Sequence, residues 1–195
     1  MEKKGKIIVF SAPSGSGKST IIKEIRKRNG FPFVFSVSAT NRPPREGEQH
    51  GVDYYFLTDS EFKKHLDNGD FVETCEVYPG RYYGTLKSEV ELRLAAGENV
   101  VLDVDVEGGL NVKKVFGSDV LSIFIMPPSI AELRRRLENR GTDSLDKIEE
   151  RLARADYEIS LAGNYDVTVE NNELDTAVEQ CEQKILDFFK SQGSR

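Results

Sequence analysis

The chain has 195 residues, enough for one α/β domain with a substantial core and small inserted lobes. Hydrophobic residues at 38% exclude a disordered chain, and a formal net charge of -6 excludes broad nucleic-acid binding, which needs a basic footprint. The two cysteines, Cys75 and Cys181, are too few and too far apart for a disulfide framework or a metal set.

The start, MEKKGKIIVFSA, is basic then apolar like a leader, but its apolar run is too short and a loop follows at once. KIIVFSA is instead expected to be a strand buried on both faces of a parallel sheet. STIIKEIRKR has apolar residues at helical spacing, with Asn29 and Gly30 as a stop. FVFSVS reads as strand. ATNRPPREGEQHGVD reads as a long polar loop, a type that often carries function. YYFL, DSEFKKHLDNG and FVETCEV suggest strand, short capped helix and strand, and LKSEVELRLAAG a helix closed by Gly97. NVVLDVD and LSIFIM are further buried strands. SIAELRRRLENRG is a helix with Ser129 as N-cap and Gly141 past its end. SLDKIEERLARADYEIS is a long charged helix and YDVTVEN a last strand. The C-terminal helix puts Leu174, Ala177, Val178, Cys181, Ile185 and Phe188 on one stripe. Buried strands alternating with helices predict an α/β fold, a three-layer doubly wound parallel sheet. No stretch is long and apolar enough to span a bilayer, and a cytoplasmic protein without membrane partners is expected.

FSAPSGSGKST sits between the first strand and the first helix, which is the context a phosphate-binding loop requires. It departs from G-x-x-x-x-G-K-[ST] at Ala12, where the pattern has glycine. Pro13 has no N–H, so a cradle of backbone donors begins at Ser14 and runs through Gly15, Ser16, Gly17, Lys18, Ser19 and Thr20. Gly15 and Gly17 allow close backbone approach, Lys18 supplies charge for the β- and γ-phosphates, and the Ser19 hydroxyl can ligate Mg²⁺. Ala12 lies outside that arc, so the loop is a variant and not a decayed one.

SVSATNRPPREGEQHGVDYYF, GDFVETCEV, RYYGT, LDVDVEG and LRRRLENRGTDSLDKIEERL follow in this order. With the loop, they resemble the guanylate kinase family from about residue 5 to the C-terminal helix. The resemblance implies a P-loop kinase core that transfers the γ-phosphoryl of ATP to GMP with Mg²⁺. It implies a core at 1–35, 91–128 and 156–195, an inserted GMP-binding lobe at 36–90 and a helical lid at 129–155. Ser38, Glu73 and Thr85 match residues at the guanine. Arg42, Arg45, Tyr54 and Tyr83 match residues that hold the GMP phosphate. Asp103 and Asp105 match a strand-end acidic pair counted with the GMP set. Arg136, Arg140 and Arg151 match lid arginines, and Asn171 and Asn172 match a segment beside the ATP base. Lys18, Arg45, Arg140 and Arg151 form the implied catalytic group. Two departures stand out: Glu107 replaces a common glutamine, and one extra residue lies between Glu73 and Tyr83.

Elementary chemistry is consistent with this. A carboxylate at Glu73 can accept from guanine N1–H and N2–H₂, while hydroxyls at Ser38 and Thr85 can donate to O6. Adenine would leave buried partners unpaired. The planar fork of arginine suits phosphate. A phosphate oxyanion is already ionised and needs no strong base, so His50 and His65 are read as exposed and non-catalytic. Asp103 and Asp105 either orient the Mg²⁺ hydration shell or GMP, or serve structure alone. Two other classes remain open at this level: a silent guanylate-kinase-like binding module and a P-loop kinase of a sugar phosphate. The partners implied are ATP and GMP, with dGMP as a further acceptor, for a monomer or small homo-oligomer.

Overall fold

The structure, a computed structural model, describes residues 4–28, 32–140 and 144–193. The expected helix stops at Asn29, Gly30 and Gly141 lie outside the described residues, as does the side chain of Arg140.

Nine strands form two sheets among the described residues. The larger is the expected parallel sheet, with strand order β2-β7-β1-β8-β9. Its strands are β1 (Ile7–Ser11), β2 (Phe33–Phe35), β7 (Asn99–Asp103), β8 (Val120–Met126) and β9 (Val167–Glu170). The chain leaves β1 towards β2 and β7 on one side and later returns to β8 on the other. This order puts the carboxyl end of β1 at a topological switch point, where open α/β sheets bind ligands. Burial explains the apolar runs: Ile7, Ile8 and Val9 are fully buried, and so are Ile123, Phe124 and Ile125.

The smaller sheet has the order β4-β3-β6-β5, with β3 (Ala39–Thr40), β4 (Tyr55–Phe56), β5 (Phe71–Tyr78) and β6 (Arg81–Leu86). The first two residues of the expected long loop are therefore a strand, β3, parallel to β4 and antiparallel to β6. A two-residue strand has no periodicity to betray it. β5 carries a register shift between Glu76 and Tyr78, so Val77 is the bulged residue. That bulge takes up one residue near the turn and leaves Glu73 opposite Thr85.

Seven α-helices are found among the described residues: α1 (Lys18–Lys27), α2 (Asp59–Asp67), α3 (Lys87–Ala95), α4 (Val106–Phe116), α5 (Ile130–Arg140), α6 (Leu145–Ser160) and α7 (Leu174–Gly193). Thr58 and Glu61 form a capping box on α2, and the Glu132 amide donates to Ser129 Oγ at the start of α5. On α7, Ala177, Val178, Cys181 and Ile185 are buried, but Leu174 is 37% exposed because it opens the helix. Burial pushes the Cys181 thiol up to about 12, as suits a packing residue.

Two compact units divide the chain. One comprises Met1–Ile7, Pro32–Leu102 and Glu107–Val120, and contains the small sheet. The other comprises Ile8–Phe31, Asp103–Val106 and Leu121–Arg195, and contains α1, α5, α6 and α7. In the first, Phe62 of α2 stacks on Phe71 of β5 at 4.6 Å and on Tyr82 of β6 at 5.7 Å, beside buried Ala39. In the second, Leu133 and Leu137 of α5 pack with Ile148, Leu152 and Ala155 of α6.

Phe62→Ala removes the ring that joins α2 to the small sheet. Its expected cost is about 3–5 kcal/mol of stability, read from the shift of a urea unfolding midpoint.

Candidate functional site

β1 ends at Ser11, and the chain turns through Ala12 and Pro13 into the loop. The Ser16 amide donates to Pro13 O at 3.1 Å and closes the turn. Gly17 then caps α1 in the left-handed conformation, with φ 92°. A Cβ there would lie 2.3 Å from Asn171 Nδ2, so both backbone and space demand glycine. Gly15 shares φ 92°, and a Cβ on it would press on Leu137 and Leu133 at 3.0 and 3.1 Å. The first turn of α1 has no side-chain cap and no acidic residue. The Thr20 amide already bonds Gly17 O at 3.1 Å, so the Lys18 and Ser19 amides and the positive end of the helix dipole are what remain for an anion.

Asn171, just past β9, donates from Nδ2 to Ser16 O at 2.7 Å, a buried contact. Arg136 of α5 donates from Nη1 to the same carbonyl at 3.4 Å and from Nη2 to Asn171 O at 3.0 Å. Its Nε bonds Glu132 at 2.8 Å, and the Arg135 and Arg136 guanidiniums hold that carboxyl down to about 2. Arg151 of α6 donates to Ser14 Oγ at 2.6 Å. Asn172 turns instead to Glu170, at 2.8 Å.

Lys18 Nζ lies 2.6 Å from Asp103 Oδ1 and donates to Val104 O at 2.7 Å. Asp105 lies 3.4 Å from Arg154, and its backbone carbonyl accepts from Ser11 Oγ at 3.0 Å. Both acids thus contact phosphate-loop and α6 residues of their own unit. Arg154 also bonds Glu158, a buried carboxyl that desolvation pushes up from its ordinary range. Ser19 is exposed on the first turn of α1. Among the described residues no group of three or more His, Cys, Asp or Glu could hold a metal. The hard oxygens of Ser19 and of the acids at the end of β7 suit Mg²⁺ shared with substrate phosphates, not an all-protein cage.

The other expected residues fall in the first unit. Tyr83 and Thr85 alternate onto one face of β6, and the β5–β6 register sets Glu73 directly opposite Thr85. Thr85 Oγ1 donates to Glu73 Oε1 at 2.6 Å, and both side chains are buried. The hydroxyl hydrogen is therefore spent on the carboxylate. The lone pairs of Thr85 Oγ1 are its remaining hydrogen-bonding capacity. Ser38 O accepts the Tyr55 amide at 2.9 Å, which fixes the segment leading into β3.

After β3, Arg42 is held on every side. Its Nε donates to Tyr83 Oη at 3.2 Å, and Nη1 and Nη2 each meet Glu48 at 2.9 Å. Its guanidinium lies 5.5 Å from the Tyr54 ring centroid and 5.7 Å from that of Phe56. Tyr54 and Tyr83 meet edge to face at 5.7 Å. The Arg45 side chain is exposed, while its amide donates to Glu48 at 2.7 Å.

Sequence reasoning missed two residues here, Glu48 and Asn41. Asn41 is 7% exposed and bonds Asp59, Gly80 O and the Tyr82 amide at 2.7–2.8 Å. It pins the start of the arginine loop to the turn between β5 and β6. A polar residue at the mouth of a Pro-stiffened loop was the one available signal. Tyr82 of β6 packs on Phe62.

Comparison with known proteins gives a consistent answer. The family profile described as guanylate kinase matches residues 4–187. The guanylate kinase of Bacteroides fragilis is 53% identical over 184 residues, covering 94% of this chain and 90% of the relative. That of Porphyromonas gingivalis is 49% identical, covering 94% and 98%. The crystal structure of guanylate kinase from Anaplasma phagocytophilum superposes with a TM-score of 0.70 at 32% identity, over 96% of this chain and 87% of that one.

Gly17→Ala forces a residue with a Cβ into positive φ and drives Asn171 off Ser16 O. The backbone strain alone is about 1–3 kcal/mol. Calorimetric ATP affinity is expected to fall by roughly 10-fold or more, with a lowered Tm.

Proposed function

The chain belongs to the guanylate kinase family, the ATP:GMP phosphotransferases, and on that premise we propose how its residues divide the work. The loop from Ser14 to Thr20 holds the ATP phosphates, with Arg136, Asn171 and Asn172 as the rest of the ATP set. Ser38, Glu73 and Thr85 read guanine. Arg42, Arg45, Tyr54 and Tyr83 hold the GMP phosphate. We assign residues 36–90 to the GMP-binding lobe, 129–155 to the lid and the remainder to the core. The supports are the small sheet within 39–86 and the α5–α6 pair.

The observation that carries the reading is the buried Glu73–Thr85 pair at 2.6 Å. A carboxylate and a hydroxyl locked together present acceptors only, and guanine answers with donors at N1 and N2. Adenine sets its own N1 lone pair against them, and the unpaired buried groups penalise it.

Mg²⁺ bound with ATP would supply charge neutralisation, and Ser19 Oγ would be the protein oxygen that holds it. In the transfer an oxygen of the GMP phosphate forms a bond to the γ-phosphorus as the bond to the β–γ bridging oxygen breaks, and ADP leaves with that electron pair. The attacking oxygen carries its charge already, so no side chain has to remove a proton. The protein contributes position and charge. Lys18 starts from its pair with Asp103 and exchanges that partner for phosphate oxygens. Arg45, Arg140 and Arg151 stabilise the charge on the transferring group. Asp103 and Asp105 set the resting position of Lys18 and of Arg154 and belong functionally with the nucleotides. We further propose a cytoplasmic enzyme, acting as a monomer or small homo-oligomer. A supporting fact is that no described helix is long and apolar enough to cross a membrane.

A coupled ADP-release assay with GMP, dGMP, AMP, CMP and UMP tests the assignment. GMP is expected to exceed AMP by at least roughly 100-fold in kcat/KM. Equal use of AMP would overturn the role of Glu73, and folded protein without turnover would favour a silent module. Lys18→Met is expected to lower kcat by about 100- to 1000-fold, with circular dichroism and Tm preserved.

A further inference from the structure

We propose that Glu48 is a positioning residue of the acceptor site, holding Arg42 and the Arg45 backbone in the arrangement that receives the acceptor phosphate. The inference rests on the assignment of Arg42, Arg45, Tyr54 and Tyr83 to the GMP phosphate.

Arg42 alone is a long, flexible side chain, and holding it in one rotamer costs entropy. Glu48 removes that freedom. Its Oε1 takes Nη2 and its Oε2 takes Nη1, both at 2.9 Å, the bidentate geometry of the strongest carboxylate pairs. Nη1 also donates to Pro43 O at 2.8 Å, and Nε donates to Tyr83 Oη at 3.2 Å. A guanidinium so engaged keeps a single N–H, on Nη2, to offer a ligand. Because Tyr83 Oη accepts from Arg42, its own hydrogen is left to donate elsewhere. Glu48 thereby defines two oriented donors, Arg42 Nη2–H and Tyr83 O–H, with the Tyr54 and Phe56 rings beside the guanidinium.

The same carboxylate organises Arg45. Glu48 Oε2 accepts the Arg45 amide at 2.7 Å, and the Glu48 amide donates to Arg45 O at 3.1 Å. These reciprocal bonds close the turn from 45 to 48. They also decide between two roles for Glu48. A carboxylate resting in the phosphate's place, to be displaced on binding, would have to break from the backbone as well as from Arg42. Glu48 is rooted in the turn, so it stays. The charges of Arg42 and Glu48 offset each other, and net attraction for the phosphate falls to Arg45. Its exposed guanidinium makes no hydrogen bond among the described residues. Arg42 gives direction and Arg45 gives charge.

The test is steady-state kinetics on Glu48→Gln and Glu48→Asp beside the parent protein, with Tm and KM for ATP measured in parallel. Glu48→Gln is expected to raise KM for GMP by about 10- to 100-fold while KM for ATP stays within about twofold. Glu48→Asp keeps the charge on a shorter arm and is expected to recover part of the loss; it carries the test if the Gln variant does not fold. Competitive inhibition by guanosine, which has no phosphate, is expected to be unchanged in both. In a double-mutant cycle, Glu48→Gln is expected to add little to Arg42→Ala. An unchanged KM for GMP overturns the proposal. A lowered KM overturns it too, and identifies Glu48 as an anion that GMP must displace. Weaker guanosine inhibition overturns it in favour of a general structural role. If the parent protein does not turn over GMP at all, the acceptor assignment itself falls, which none of the variant outcomes can mimic.

Discussion

The Ser16 carbonyl is the point on which the donor side depends. A phosphate loop needs its amides turned outward, so its carbonyls are turned inward and must be satisfied there. Ser16 O meets this demand with Asn171 Nδ2 at 2.7 Å and Arg136 Nη1 at 3.4 Å. Arg136 also bonds the Asn171 carbonyl, which closes a triangle of loop, β9 terminus and α5. Glycine at 17 follows from this triangle, because Asn171 occupies the space a Cβ would need. The apolar side of α5 works in concert: Leu133 and Leu137 lie against Gly15 while their other faces join the α6 cluster. Loop shape, α5 position and the Asn171 segment are one arrangement, and no member can shift alone.

The acceptor side depends on register in place of a hub. Alternation along β6 puts Tyr83 and Thr85 on one face, and antiparallel pairing brings Glu73 to that face from β5. A slip of one residue would send all of these side chains to the other face. The bulge at Val77 matters for that reason, since it absorbs a residue near the turn before the functional pairs begin. Asn41 and Glu48 do for the arginine loop what register does for the strands.

Much of the fold was legible because burial writes itself into composition. β1, β7 and β8 are β-branched runs since both of their faces are covered. The phosphate loop was legible because each of its residues has a separate physical reason to be there. Helix α4 was not, because Gly108 and Gly109 sit in its first turns and disguise it. Both are buried, so close packing prevails over propensity. β3 has two residues, and only a distant partner makes it a strand. Glu48 looked like one charge among many in a polar loop, since its bond to Arg42 exists only after the turn has formed. The Thr85–Glu73 bond was not legible either, because its two members meet only through the β5–β6 pairing.

The burial of β1 carries a further consequence. Each of its residues is at most 2% exposed, and its place is in the middle of the sheet, between β7 and β8. Amides in such a strand exchange with solvent through global opening, not through local fraying. The phosphate loop springs directly from that strand. Its root therefore shares the protection factor of the core, and any motion the loop makes is hinged on the least yielding part of the molecule.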